Sequence, residues 1–254
     1  MGLAFRQIRF ENRAFWRNPA AAFFTFAFPL LFLVIFNIAF GDAEVTLRGG
    51  TTTYSTLLIP AIVAFGVISA CYTNVAMSLV FARDEGLLKR IRGTPLPAWA
   101  FLFGRIGHAM LLALLLVAIT VAAGALLYDV EVPTDTLPAF AVTLALGAGA
   151  FCALGAALAA VIPNADAAPA IVNFSILPLL FLSNVFIRIT DPPGWLAALR
   201  NLFPVFHLLR ALETSFHPFV TGSGFRWGDL LIVALWGIGG ALLAIRFFSW
   251  EPRR

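Results

Sequence analysis

Charge is scarce in this chain. Charged residues make up 12% of it, and lysine occurs once, at Lys89. That lysine follows Leu88, so a phosphate-binding loop of G-x-x-x-x-G-K-[ST] type is absent and the chain does not bind ATP in that way. The three histidines lack H-E-x-x-H spacing, and no serine sits in G-x-S-x-G, which speaks against a metalloprotease or serine hydrolase. The only cysteines, Cys71 and Cys152, lie inside apolar runs and read as small packing residues, with no metal spacing and no disulfide framework. Acids do not recur within the apolar runs, as a proton-coupled carrier would require. No catalytic, metal or cofactor site is expected in the chain itself.

What is present is hydrocarbon. Apolar residues make up 61% of the chain, with 26 phenylalanines and a mean hydropathy of +0.92, too little polar surface to cover a soluble globule. A helix needs about 20 uncharged residues to cross a bilayer core of about 30 Å. Long apolar runs predict an all-α integral membrane protein, a single transmembrane domain over 1–254, with six spans at 20–40, 57–82, 106–128, 136–162, 167–187 and 228–248. Phe40-Gly41-Asp42 lacks a small-x-small cleavage pattern, so the first span is expected to stay as an anchor. With an inner N-terminus, 12 of 17 basic residues lie inside and eight of 13 acids outside, so both termini are expected to be cytoplasmic. The net charge of +4 then follows from topology and anionic lipid, and nucleic acid is not needed to explain it.

Two charged segments stand out. Before the first span, Arg6, Arg9, Arg13 and Arg17 recur at helical spacing over residues 1–18, either as an interfacial helix or as a topogenic charge cluster, and Glu11 interrupts the apolar side. After the second span, RDEGLLKRIRGTPLP at 83–97 reads as a short capped helix over 84–92. Asp84 and Glu85 suit its N-terminus, Lys89, Arg90 and Arg92 its last turn, and Leu87, Leu88 and Ile91 would share one face. Gly93 and Thr94-Pro95-Leu96-Pro97 stop it. A bare cytoplasmic loop would explain the charge; a bounded helix with an apolar face points to docking.

The spans hold uncharged polar groups. Tyr72, Thr73, Asn74 and Ser78 cluster in span two, and Asn173, Ser175, Ser183 and Asn184 in span five, which also carries Pro178. Each needs a partner across a helix interface or in a wet cavity. Tyr72, Asn74, Ser78, Asn173, Ser175, Ser183 and Asn184 are the candidates for lining a path. Ala145, Gly149, Ala153 and Ala157 make a small-residue ridge in span four, with a weaker one at Gly237 and Ala241. Between spans five and six, PPGWLAALRNLFPVFHLLRALETSF carries too many charged and histidine side chains to span, and Pro204 divides its apolar sets. Two short helices over 192–213, re-entering from outside, satisfy both halves of the pattern.

Taken in order, the basic first helix, EGLLKRIRGTPLP, IPNADAAPAIVNFSILPLLFLSNVF and PPGWLAALRNLFPVFHLLRAL resemble the type-2 ABC transporter permease family, and in particular actinobacterial drug-export permeases of the daunorubicin-resistance kind. Asn184 stands where such permeases often have glycine, and Ile187-Arg188-Ile189 where proline is common. The resemblance implies a homodimer bound to two copies of a separate nucleotide-binding ATPase, which would hold ATP and Mg. Residues 84–92 would be the coupling helix, and spans one and five would line the dimer interface and the path. It implies export of drug-like hydrophobic molecules across a bacterial plasma membrane. A lipid-linked glycan is the alternative cargo, and a membrane enzyme or scaffold the alternative class.

Overall fold

The computed structural model describes residues 2–47, 49–93, 96–186, 189, 192–220 and 222–248, without the side chains of Arg92 and Ala98. The expected role of the Arg92 side chain, the Thr94-Pro95 stop, the end of the fifth span at 187, and Arg48, Arg188, Arg253 and Arg254 therefore lie outside the described residues.

The fold is helical because long runs of Ala, Leu and Phe meet few breakers; Pro29, Pro60 and Pro178 lie within helices, and other prolines open them. Pro19 opens α2, whose first turn is capped by Asn18 accepting from the Ala21 amide at 3.2 Å. The chain runs α1 (Gly2–Trp16), α2 (Pro19–Phe40), β1 (Glu44–Leu47), β2 (Gly50–Thr53), α3 (Tyr54–Ile68), a π-helical turn (Ser69–Thr73), α4 (Asn74–Asp84) and α5 (Leu87–Arg92). It continues as α6 (Ala98–Leu127), α7 (Leu137–Val161), α8 (Ala168–Leu182), α9 (Gly194–Leu202), α10 (Pro204–Ser215) and α11 (Trp227–Phe247).

Among the described residues five helices are long and apolar enough to cross a membrane: Pro19–Phe40, Tyr54–Asp84, Trp99–Leu127, Leu137–Val161 and Trp227–Phe247. The segment expected as a fifth span behaves differently. Its helix α8 has 15 residues, about 22 Å of rise, against about 30 Å of hydrocarbon. It stops at Ser183, and Asn184 follows with φ 63 in the left-handed region. The two-stranded hairpin β1–β2, paired from Glu44↔Thr53 to Leu47↔Gly50, departs from an all-helical reading. Thr51, Thr52 and Thr53 of β2 are β-branched, and the strand alternates between half-buried and exposed positions.

The core is the long α3–α4 rod, in which every residue from Ser55 to Ile68 is buried. Around it α7 packs on α4 and α11, α6 on α3 and α1, and α10 on α3, α7 and α11. At α7–α11 a Cβ on Gly237 would meet Ala150 at 2.8 Å, the close approach that small residues permit. α7 also sets the ends of the bundle. Beside its start, the Thr136 hydroxyl donates to the Ser215 carbonyl at 2.6 Å, and beyond its other end lies Ile162, against Arg83. The end of α10 thus lies beside the start of α7, and α5 beyond its other end.

Candidate functional site

At the α5 end the chain reverses on one buried cation. Arg83 is wholly buried at the last turn of α4. Its Nη1 donates to the Ala159 carbonyl at 3.0 Å, and its Nη2 donates to the carbonyls of Ile162 and, at 3.3 Å, Pro163. These are carbonyls at the C-terminal end of α7, which lack partners within the helix and carry its partial negative charge. Beside it, Asp84 lies 3.8 Å from Arg83 Nε and accepts the Ala165 amide at 2.5 Å. Two adjacent side chains therefore clasp the whole turn that leads from α7 into α8.

This clasp changes the expected boundary of the short helix. Asp84 closes α4 and does not open the next helix, because its carboxylate is committed to the 162–165 turn. Gly86 makes the break at φ 69, a conformation that is strain-free only for glycine, and α5 begins at Leu87. Leu88 is fully buried in the core and Ile91 half-buried, while Leu87 is exposed with Lys89, Arg90 and Glu85. The expected shared face thus has Leu88 and Ile91 inward, and a cationic surface outward.

α1 lies along α6 with Arg6, Arg9 and Arg13 exposed; Arg17, also exposed, follows the helix. Gly104 and Gly107 of α6 meet Gln7 and Ile8, close enough that an added Cβ would sit 2.2 and 2.6 Å from them. Glu11, an apparent interruption of the apolar side, is turned inward: it lies 3.6 Å from Arg105 Nε and accepts from Gln7 at 3.2 Å. Phe15 packs edge-on to His108 at 5.4 Å. Glu11, Arg105, His108, Asn74 and Ser78 line a small polar cavity of about 160 Å³ between α1, α4 and α6.

The candidate path residues are divided by the fold. Tyr72 and Ser175 meet, with their hydroxyls 2.8 Å apart, joining the π-helical turn to α8. Asn74 and Ser78 face the polar cavity beside α1, whereas Asn173 is exposed, so the two asparagines are not brought together. Ser183 is buried, and its hydroxyl has no partner among the described residues. Asn184 accepts the Ile189 amide at 3.1 Å from its left-handed position, where glycine would be strain-free. A separate, wholly apolar cavity of about 590 Å³ lies between α6 and α7, lined by residues such as Met110, Val117, Val121, Phe140 and Leu144. Among the described residues no group of His, Cys, Asp or Glu could hold a metal ion.

Reasoning from sequence missed Arg83, Glu11 and Arg105 as structural actors. Position carried a signal for each: Arg83 is joined directly to an apolar run, and Glu11 falls off the arginine stripe.

With this geometry in view, the model of the ABC-2 type transporter family matches residues 5–217. The chain is similar to the putative transport permease ycf38 of Porphyra purpurea, 25% identical over 223 residues, or 87% of this chain and 75% of that one. It is similar to the inner membrane transport permease YadH of Escherichia coli (strain K12), 24% identical over 83% of this chain and 79% of the relative. A further match is the daunorubicin resistance ABC transporter permease protein DrrB1 of Streptomyces coeruleorubidus, 27% identical over 74% of this chain and 66% of the relative.

Proposed function

Since the chain belongs to the ABC-2 type transporter family, and is a multi-pass membrane permease that works with an ABC ATPase, we propose that it exports hydrophobic or amphipathic small molecules. The single observation that carries the docking half of this reading is the clasped corner at α5. It offers an exposed cationic surface at Lys89 and Arg90 and is tied through Arg83 and Asp84 to the turn entering α8. A push on α5 would reach the turn entering α8 through Arg83 and Asp84, at the end of the helix that α5 follows.

In this reading α5 is the coupling helix and the ATPase supplies all nucleotide chemistry, with ATP and Mg bound in that subunit. The α5 end faces the cytoplasm together with both termini, the chain crossing a sixth time through the shorter α8, and the α9–α10 pair re-enters from outside. Two copies of the chain pair through α2 and α8. Support comes from their exposed apolar flanks, Phe23, Phe24, Leu31, Ile35 and Ile38 on α2 and Phe174 and Phe181 on α8. Drug-like cargo is supported by the relative named for daunorubicin resistance and by the wholly apolar cavity between α6 and α7.

The test is to purify the chain with its partner ATPase and follow ATP hydrolysis across a panel of amphiphiles. A ligand that distinguishes the transporter's states changes turnover. Stimulation by amphipathic drugs, and not by lipid-linked glycans, is the expected result. Turnover indifferent to every amphiphile, or raised only by glycan carriers, overturns the cargo assignment.

A further inference from the structure

The end of the bundle opposite α5 holds a second buried charge, differently furnished. Asp229, in the first turn of α11, is 6% exposed. One of its oxygens is 2.5 Å from His207 Nδ1 and 3.7 Å from Arg210 Nη1; the other accepts from Arg226 Nε. The second ring nitrogen of His207 lies 2.8 Å from the Asn201 carbonyl. The network ties α9, α10 and α11 together.

It also leaves donors over. Arg226 uses only Nε, and its two Nη groups have no hydrogen-bond partner among the described residues. Arg210 makes one long ion pair and lies over the Phe206 ring, 5.3 Å from its centroid, with Arg200 also against that ring at 4.5 Å. Arg210 and Arg226 are each about a third exposed, and both line an open cavity of about 580 Å³ with Asn201, His207, Phe225 and Ile232. Two guanidinium forks thus share one open cavity with a single carboxylate, which their Nη1 and Nε already face. Planar forks of this kind match phosphate oxygens.

The surroundings specify the source of the phosphate. Gly228 and Ile232 line the cavity, and at helical spacing the same face of α11 continues through Leu235 and Leu242, which are 58% and 62% exposed. Trp227, 67% exposed and stacked on Phe225 with ring centroids 4.7 Å apart, stands at the level of the cavity, as aromatic side chains do at a membrane interface. A cationic cavity at the head of an exposed apolar stripe has the shape of a phospholipid.

We propose that Arg210 and Arg226 bind the headgroup phosphate of an anionic phospholipid whose acyl chain lies along Ile232, Leu235 and Leu242. The site is independent of the cargo and needs no ATPase.

The experiment is native mass spectrometry of the full chain in detergent, titrated with phosphatidylglycerol, with phosphatidylcholine and with inorganic phosphate. The expected result is a retained phosphatidylglycerol adduct that inorganic phosphate does not displace and that is roughly tenfold weaker with phosphatidylcholine or in R210Q/R226Q. Should the double variant fail to fold, R210Q alone decides, because Asp229 keeps Arg226 and His207. Equal adducts in wild type and in the folded variant, or equal retention of the two lipids, overturns the proposal. Displacement by inorganic phosphate overturns its lipid source.

Discussion

A buried arginine at one end of the bundle is wrapped in backbone carbonyls; a buried aspartate at the other is wrapped in arginines and a histidine. The difference is one of what each charge holds. Arg83 bonds main-chain atoms of the 159–163 segment, so it fixes the path of the backbone where α7 turns toward α8. Asp229 bonds side chains that can rotate, and two of its three partners are about a third exposed. A charge enclosed by carbonyls makes a rigid joint. One enclosed by flexible cations makes a joint with hydrogen-bonding capacity to spare.

The largest effect tests what the rigid joint presents to solvent. Reversing Lys89 and Arg90 to glutamate is expected to abolish co-purification with the partner ATPase while leaving thermal unfolding of the isolated chain little changed, since both side chains are exposed. A retained complex would detach α5 from docking and reduce the contrast between the ends to one of stability alone.

Next comes the joint itself. Arg83→Met leaves three carbonyls and Asp84 without their cation, and breaking a buried charged network of this kind costs about 3–5 kcal/mol. Thermal unfolding in detergent is expected to show that loss, with partial recovery in Arg83→Lys. Asp229→Asn is expected to cost less, about 1.5–3 kcal/mol, the scale of hydrogen bonds to a charged group, because Arg210 and Arg226 can turn to water when released. Equal losses at the two ends would break the comparison, for it would mean that exposure of the partners does not matter.

The smallest effect lies on the segment that joins the ends. Asn184 closes α8 at φ 63, so Asn184→Gly is expected to be near neutral, whereas Asn184→Leu should cost about 1–2 kcal/mol of left-handed strain, read by the same unfolding assay. A neutral leucine would show that the 183–186 turn relaxes freely.

Much of this was legible in advance, and the boundary has physical reasons. Apolar runs mark membrane helices by composition alone, and Pro204 marks the break between α9 and α10 because proline cannot extend the helix before it. The docking island was visible because Lys89, Arg90 and Arg92 stand together between apolar runs. The Arg83 joint was not: its partners lie 76 to 80 residues away and are main-chain carbonyls, which every residue type carries. The start of α5 was misplaced because Asp84 near a helix start satisfies the helix dipole as well as it satisfies the Ala165 amide. Asn74 and Asn173 looked equivalent in sequence, and only packing sends one to the polar cavity beside α1 and the other to the surface. The 15-residue length of α8 follows from the left-handed turn at Asn184, a conformation that asparagine permits without announcing.

In the proposed mechanism α5 and the start of α8 move as one body, because Arg83 and Asp84 clasp the turn between α7 and α8. The most direct test places spin labels at Arg90 and Asp166, both exposed, in a chain with Cys71 and Cys152 replaced by serine, and measures their separation in the complex with its ATPase, without nucleotide and with ATP bound. The expected result is one narrow distance distribution that is the same in both states and broadens in Arg83→Gln. A separation that changes between states with Arg83 intact, or that stays narrow once Arg83 is gone, would contradict it.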